Sequence, residues 1–181
     1  MNNIVKFLNN FFLAEISTKQ AKLKPDLNEY NMKLNHMNSQ CIDELNNSFG
    51  LIPINKLKDS EYYKKWENGF DYKPRIIFKI SHYKNEKYKD LYLAYISISN
   101  PDKVFNLKYF DCFFIAKIEN QYKIVRKYFV HKNRENNEVS WNPHNGDKDI
   151  DFYSAGDLIS CERYIEPSRC EFSMKDYLED K

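Results

Sequence analysis

Glycine and proline are scarce in this chain, with four and six residues among 181. That scarcity excludes a collagenous, linker-rich or broadly disordered polypeptide. No window approaches the 18 or so uncharged apolar residues of a membrane-spanning helix. A secretory leader is not evident either. The opening MNNIVKFLNNFFLAEI has no basic start, Asn9 and Asn10 interrupt its apolar run, and no clean small-residue cleavage site follows. It reads as a helix of the mature fold, and a cytoplasmic location is the expectation. The four cysteines, Cys41, Cys112, Cys161 and Cys170, lack metal-type spacing. Cys41 and Cys112 fall on apolar faces, where a thiol packs as a small hydrophobe. Cys161 and Cys170 could pair near the end of the chain, but in a reducing cytosol both are expected as thiols.

What is abundant is aromatic bulk, 16% of residues and mostly Tyr and Phe, within 42% hydrophobic content. A chain of this length buries roughly two-thirds of its unfolded surface as one domain. The formal net charge of +2 hides an asymmetry. Residues 1–74 carry 10 basic and 9 acidic side chains, residues 75–134 carry 13 and 5, and residues 135–181 carry 5 and 12. A basic middle of +8 is therefore followed by an acidic segment of −7.

The stretch from Arg75 to Lys132 holds four runs rich in Ile, Val, Phe and Tyr, separated by short polar breaks. Such spacing predicts consecutive antiparallel strands near Arg75–Tyr83, Leu91–Ser99, Tyr109–Glu119 and Tyr122–His131. Asn120-Gln121 is a hairpin-length connection with Asn where positive φ is tolerated. Alternation places Leu91, Leu93 and Tyr95 on one face and Tyr92, Ala94 and Ile96 on the other. In the fourth strand it places Ile124, Arg126 and Tyr128 opposite Lys123, Val125 and Lys127. Neither face is wholly polar, so both should be at least partly covered.

Upstream, Ile4, Phe7, Leu8, Phe11, Phe12 and Ile16 recur at helical spacing. Asp26 can cap a second helix with Leu27, Tyr30, Leu34, Met37, Cys41 and Leu45 along one side, running to a C-terminal Gly50. Leu51–Ile54 is a candidate short strand, and Ser60 opens a candidate third helix ended by Gly69 and Pro74. After the sheet, Trp141, Pro143, Gly146 and Gly156 read as loop punctuation, with a helical turn near Ser173 to Leu178. The expected fold is α+β: N-terminal helices packed against a curved four- to five-stranded antiparallel sheet, spanning residues 1–134. Residues 135–181 form an irregular acidic extension packed on the same domain.

Helix, helix, short strand, helix and a long meander, ending in NQYKIVRKYFV, resembles the nuclear transport factor 2-like fold over about residues 1–132. The resemblance implies a cone of helices within a bent sheet, with dimers through the outer sheet face in many members. Enzymes of that fold use an Asp, His or Tyr inside the cone, and the matching residue types here are Asp111, His82 and Tyr95. Asp111 stands out inside the apolar YFDCFFIA, where an acid must be paired, hydrogen-bonded or catalytic. The pairing account, with Lys108 or Lys79 as partner, is preferred, and His82 is expected to face solvent.

Other chemistries find less support. His131, His144 and Asn145 resemble the His-Asn-His nucleases in composition only, without the following helix or a matching ligand. Zinc held by His131, His144, Cys161 and Cys170 lacks paired short spacings. Lys79, Lys84, Lys87, Lys89, Lys108, Lys123, Arg126 and Lys127 could serve nucleic acid, but alternation scatters them over both faces. Packing of the acidic extension against the basic sheet, or plain solvation, is preferred.

No cofactor, metal or membrane partner is expected. Small Asn- and Lys-rich chains of this fold without a catalytic signature resemble bacterial immunity proteins, which implies a protein partner, a toxin neutralised by direct binding. Tyr62, Tyr63, Trp66, Trp141, Tyr153 and Tyr164 are candidate anchors, because Tyr and Trp give large contact area at low entropic cost. The alternatives are a small-molecule-binding or isomerase-like enzyme using the cone, and a nucleic-acid binder. Deleting the residues after Asn137 is expected to lower the melting temperature if the acidic segment packs on the sheet. An unchanged thermal melt would refute that packing.

Overall fold

A computed structural model describes residues 1–22, 26–46, 75–98, 109–132, 139–143 and 155–164. Two helices open the chain, α1 (Asn2–Lys22) and α2 (Leu27–Asn38), followed by a 3-10 turn at Asp43–Leu45. Six strands follow: β1 (Arg75–Asn85), β2 (Lys89–Ile98), β3 (Tyr109–Ile118), β4 (Gln121–Lys132), β5 (Val139–Pro143) and β6 (Asp157–Arg163). They form one antiparallel sheet in the order β5-β4-β3-β2-β1-β6. The α+β class and the four-strand meander therefore stand as the sequence implies. Trp141 and Pro143 are corrected from loop to strand, because β5 lies beside the outer end of β4, with Trp141 opposite Val130. The second added strand closes the other side, beside β1. Leu51–Ile54, the helix after Ser60, Gly50 and Ser173 to Leu178 lie outside the described residues.

The helices pack on one face of the sheet. Ile4, Leu8, Phe11 and Phe12 of α1 and Tyr30, Leu34 and Met37 of α2 meet Ile80, Ala94, Ile96, Phe113, Ile115 and Ile124. Phe113 stands at the centre, edge-on to Phe11 at 6.0 Å. Asp26 caps α2 as expected, its carboxylate accepting from the Asn28 and Glu29 amides at 2.9 and 3.1 Å. The helix is shorter than its apolar spacing suggests, however. Beyond Ser39 the chain turns to bond the sheet: Ile42 N–H donates to Ile124 O at 3.1 Å, and Ile124 N–H donates to Gln40 O at 2.9 Å. Cys41 and Leu45 are buried, but not on α2.

The opposite face is buried too, with Phe78, Leu91, Leu93, Tyr95, Cys112, Phe114 and Val125 in a second cluster. The alternation read for β2 holds. That read for β4 does not, because Phe114 pairs with Arg126 while Ile115 pairs with Ile124, leaving Val125 as an extra residue. Past this bulge the faces exchange. Lys127 joins Ile124 on the helix side, and Arg126 and Tyr128 turn to the other. A similar shift between Ile77 and Lys79 puts Phe78 and Lys79 together on the face away from the helices.

The β3–β4 connection is a two-residue turn at Glu119 and Asn120, both left-handed at φ 49° and 65°, one position earlier than the sequence suggests. At the start of β6, Gly156 has φ 106°, and a Cβ there would stand 2.1 Å from the Lys84 carbonyl oxygen. Neither the conformation nor the space admits a side chain. Gly156→Ala is therefore expected to destabilise the fold by about 2 kcal/mol or more and to loosen β6 first. Chemical denaturation and amide exchange along β6 would check both, and a wild-type profile would contradict the account.

Candidate functional site

The stripe of α1 that faces the sheet continues past Phe11 and Phe12 to Glu15 and Thr18, both buried. Thr18 satisfies itself by donating to Ala14 O at 2.7 Å. Glu15 instead receives Arg75, the first residue of β1, whose Nε and Nη2 donate to its two oxygens at 2.7 and 2.9 Å. The same guanidinium uses Nη1 to reach Asp111 Oδ2 on β3 at 2.6 Å. Lys127, brought to this side by the bulge in β4, stands 3.8 Å from that oxygen. Lys19 adds a 2.8 Å bond to Glu15 from one helical turn away. The guanidinium lies 5.8 Å from the Phe113 ring centre and 5.9 Å from that of Phe12. The result is a network linking α1, β1, β3 and β4, in which the Glu15, Asp111 and Arg75 side chains are only 1%, 3% and 8% exposed.

Burial alone would raise the pKa of Glu15. The bidentate Arg75 and the nearby Lys19 outweigh it and bring the carboxyl down to about 2. For Arg75 burial acts downward, yet the two carboxylates carry its pKa above the ordinary value. Lys127 goes the other way: burial lowers it despite the attraction of Asp111.

Asp111 is thus paired, as its position in an apolar strand requires, but with Arg75 and Lys127 rather than Lys79. Lys79 points away from the helices, 4.7 Å above the Tyr95 ring; Lys108 lies outside the described residues. Tyr95 belongs to that far face as well, so the sheet itself stands between Tyr95 and Asp111. His82 is on the helix side but beside Tyr92, four residues along β2 from the partner of Asp111, about 13 Å away. Its Nε2 is 2.7 Å from Asp90 Oδ1, and its ring stacks on Tyr92 at 4.3 Å. Half-buried in this way, it is less open to solvent than the sequence suggests. The three residues do not converge. Among the described residues no group of His, Cys, Asp and Glu is placed to hold a metal ion, and no helix is long and apolar enough to cross a membrane.

Of the six aromatic anchors, Tyr62, Tyr63, Trp66 and Tyr153 lie outside the described residues, as does Cys170. Trp141 is in β5. Tyr164 directly follows β6, is 43% exposed, and donates its hydroxyl to Glu162 at 2.8 Å. Burial, then the Glu162 carboxylate, pushes its pKa up to about 12. The same edge shows two residues that the sequence reading passed over, Leu158 at 48% and Ile159 at 55% exposed. Every residue from Asp157 to Glu162 is exposed, including the Cys161 thiol. No family model matches the chain, and neither a curated protein nor a solved structure shows significant similarity to it.

A carboxyl whose pKa falls on folding contributes stability above its unfolded value, here near 4.5, and loses it as pH drops towards about 2. That contribution is of order 3 kcal/mol. Glu15→Gln is expected to flatten the pH dependence of unfolding in this window. It should also lower stability at neutral pH by about 3 kcal/mol, since Arg75 keeps its charge but loses a partner. Urea titrations between pH 2 and 7 would show it; a variant with an unchanged acid limb would refute the assignment.

Proposed function

We propose that this chain is a non-enzymatic protein-binding protein of the immunity type, which neutralises a toxin by direct contact, built on a nuclear transport factor 2-like frame. The observation that carries the reading is the β6 edge, where the adjacent Leu158 and Ile159 expose 48% and 55% of their surface and Tyr164, just after the strand, exposes 43%. Scattered exposed apolar residues are ordinary, but two adjacent ones on a sheet edge, with a Tyr just beyond the end of the strand, offer apolar contact suited to a partner. The chemistry of the interior supports the same reading. The acid that an enzyme would use, Asp111, is held by Arg75 within a packed ionic network instead of facing a substrate.

The test is an affinity capture with the full chain as bait in lysate from its source, run at about 150 mM salt to screen weak surface attraction. Wild type is compared with a Leu158→Asp, Ile159→Asp double variant whose thermal melt is unchanged. The expected result is one stoichiometric protein retained by wild type and lost by the variant. A small molecule co-purifying without any protein would overturn the reading, and so would equal capture by both baits of the same set of proteins.

A further inference from the structure

We infer that β6 receives an extended, basic segment of the partner as an additional strand. This rests on the protein-binding reading above and specifies how the partner is recognised. Among the described residues β6 is hydrogen-bonded on one side only, to β1, and it ends the sheet. Such an edge offers main-chain donors and acceptors that bind an incoming strand, while side chains on the two faces select it.

The register sorts those side chains. Asp157 pairs with Lys84 and Glu162 with Ile80, residues on the helix side of the sheet. Leu158 pairs with Tyr83 and Cys161 with Ser81, on the far side. The register shift between His82 and Tyr83 leaves Ile159 as the extra residue, and its side chain is 55% exposed. The edge therefore carries a carboxylate near each end on one face and Leu158 and Cys161 on the other, where the last residue of the strand, Arg163, stands opposite Lys79. Tyr164 holds the Glu162 carboxylate in place through its 2.8 Å hydrogen bond.

A second copy of the strand is matched only in part. Paired antiparallel about Ser160, two β6 strands set Asp157 against Arg163 but leave Leu158 facing Glu162, and a shift by one residue sets Asp157 against Glu162, like charges that weaken the pair. A segment with Lys or Arg on one face and Val, Ile or Leu on the other satisfies both faces at once.

The probe is a short synthetic peptide alternating Lys with Val, compared with the same peptide carrying Glu in place of Lys. Fluorescence anisotropy at about 150 mM salt is expected to show the Lys peptide binding at least about tenfold more tightly. Amide exchange should slow within residues 158–162 when it binds. An Asp157→Lys, Glu162→Lys variant is expected to reverse the preference, with a thermal melt confirming that it folds, since Asp157 stands opposite Lys84. Equal binding of the two peptides, or protection elsewhere in the chain, overturns the inference. Absence of peptide binding by a chain that still captures its protein through Leu158 and Ile159 overturns strand addition while leaving protein binding in place.

Discussion

One guanidinium ties the helical layer to the sheet. Arg75 uses three nitrogens to hold two buried carboxylates, one on α1 and one on β3. An isolated charge in such a site costs several kcal/mol, so Glu15, Asp111 and Arg75 are tolerable only together. The planar fork matters because two bonds run to Glu15 in parallel while the third leaves for Asp111. A lysine at this position would present a point charge and could not set the same angles. The network thereby fixes where α1 lies along the sheet, which the apolar contacts of Leu8 and Phe11 alone constrain less sharply.

The rest of the architecture follows from a sheet that is covered on both sides. With Phe113 under the helices and Phe114 beneath the opposite face, neither surface of the central strands is free. Large apolar side chains lie in the open on the helices, at Leu13 and Met32, and at the β6 margin of the sheet, where Leu158 and Ile159 stand beside exposed carboxylates. Interior charge serves cohesion here.

The meander was legible because it obeys a period of two between polar breaks, and the bounds of β1 to β4 fall within a few residues of those expected from sequence. The face exchange at Val125 was not legible. A bulge adds one residue to one strand, and nothing in IVRK marks which residue is extra. That single insertion decides whether Lys127 sits with Asp111 or on the far side. The end of α2 escaped for a related reason: Cys41 and Leu45 keep the helical spacing of buried positions while the backbone between them bonds to β4. The acid in YFDCFFIA announced a need for a partner, but not which one. Glu15 gave a usable signal, since it lies three and four residues beyond Phe12 and Phe11 on the apolar stripe. β5 and β6 are short and rich in polar residues, as edge strands are, and so resemble loops.

The separation of Glu15 and Arg75, 60 positions along the chain, bears on the order in which the fold assembles. The β1–β2 and β3–β4 hairpins close over a few residues and involve little loop entropy, whereas docking α1 requires a long loop to close before the ion pair returns anything. The meander is therefore expected to be largely formed at the folding barrier, and the guanidinium clamp to engage after it. Weakening the clamp then leaves the refolding rate nearly unchanged and accelerates unfolding. Arg75 acts in that sense as a latch on the finished molecule, setting how long the native state lasts and not how quickly it is reached.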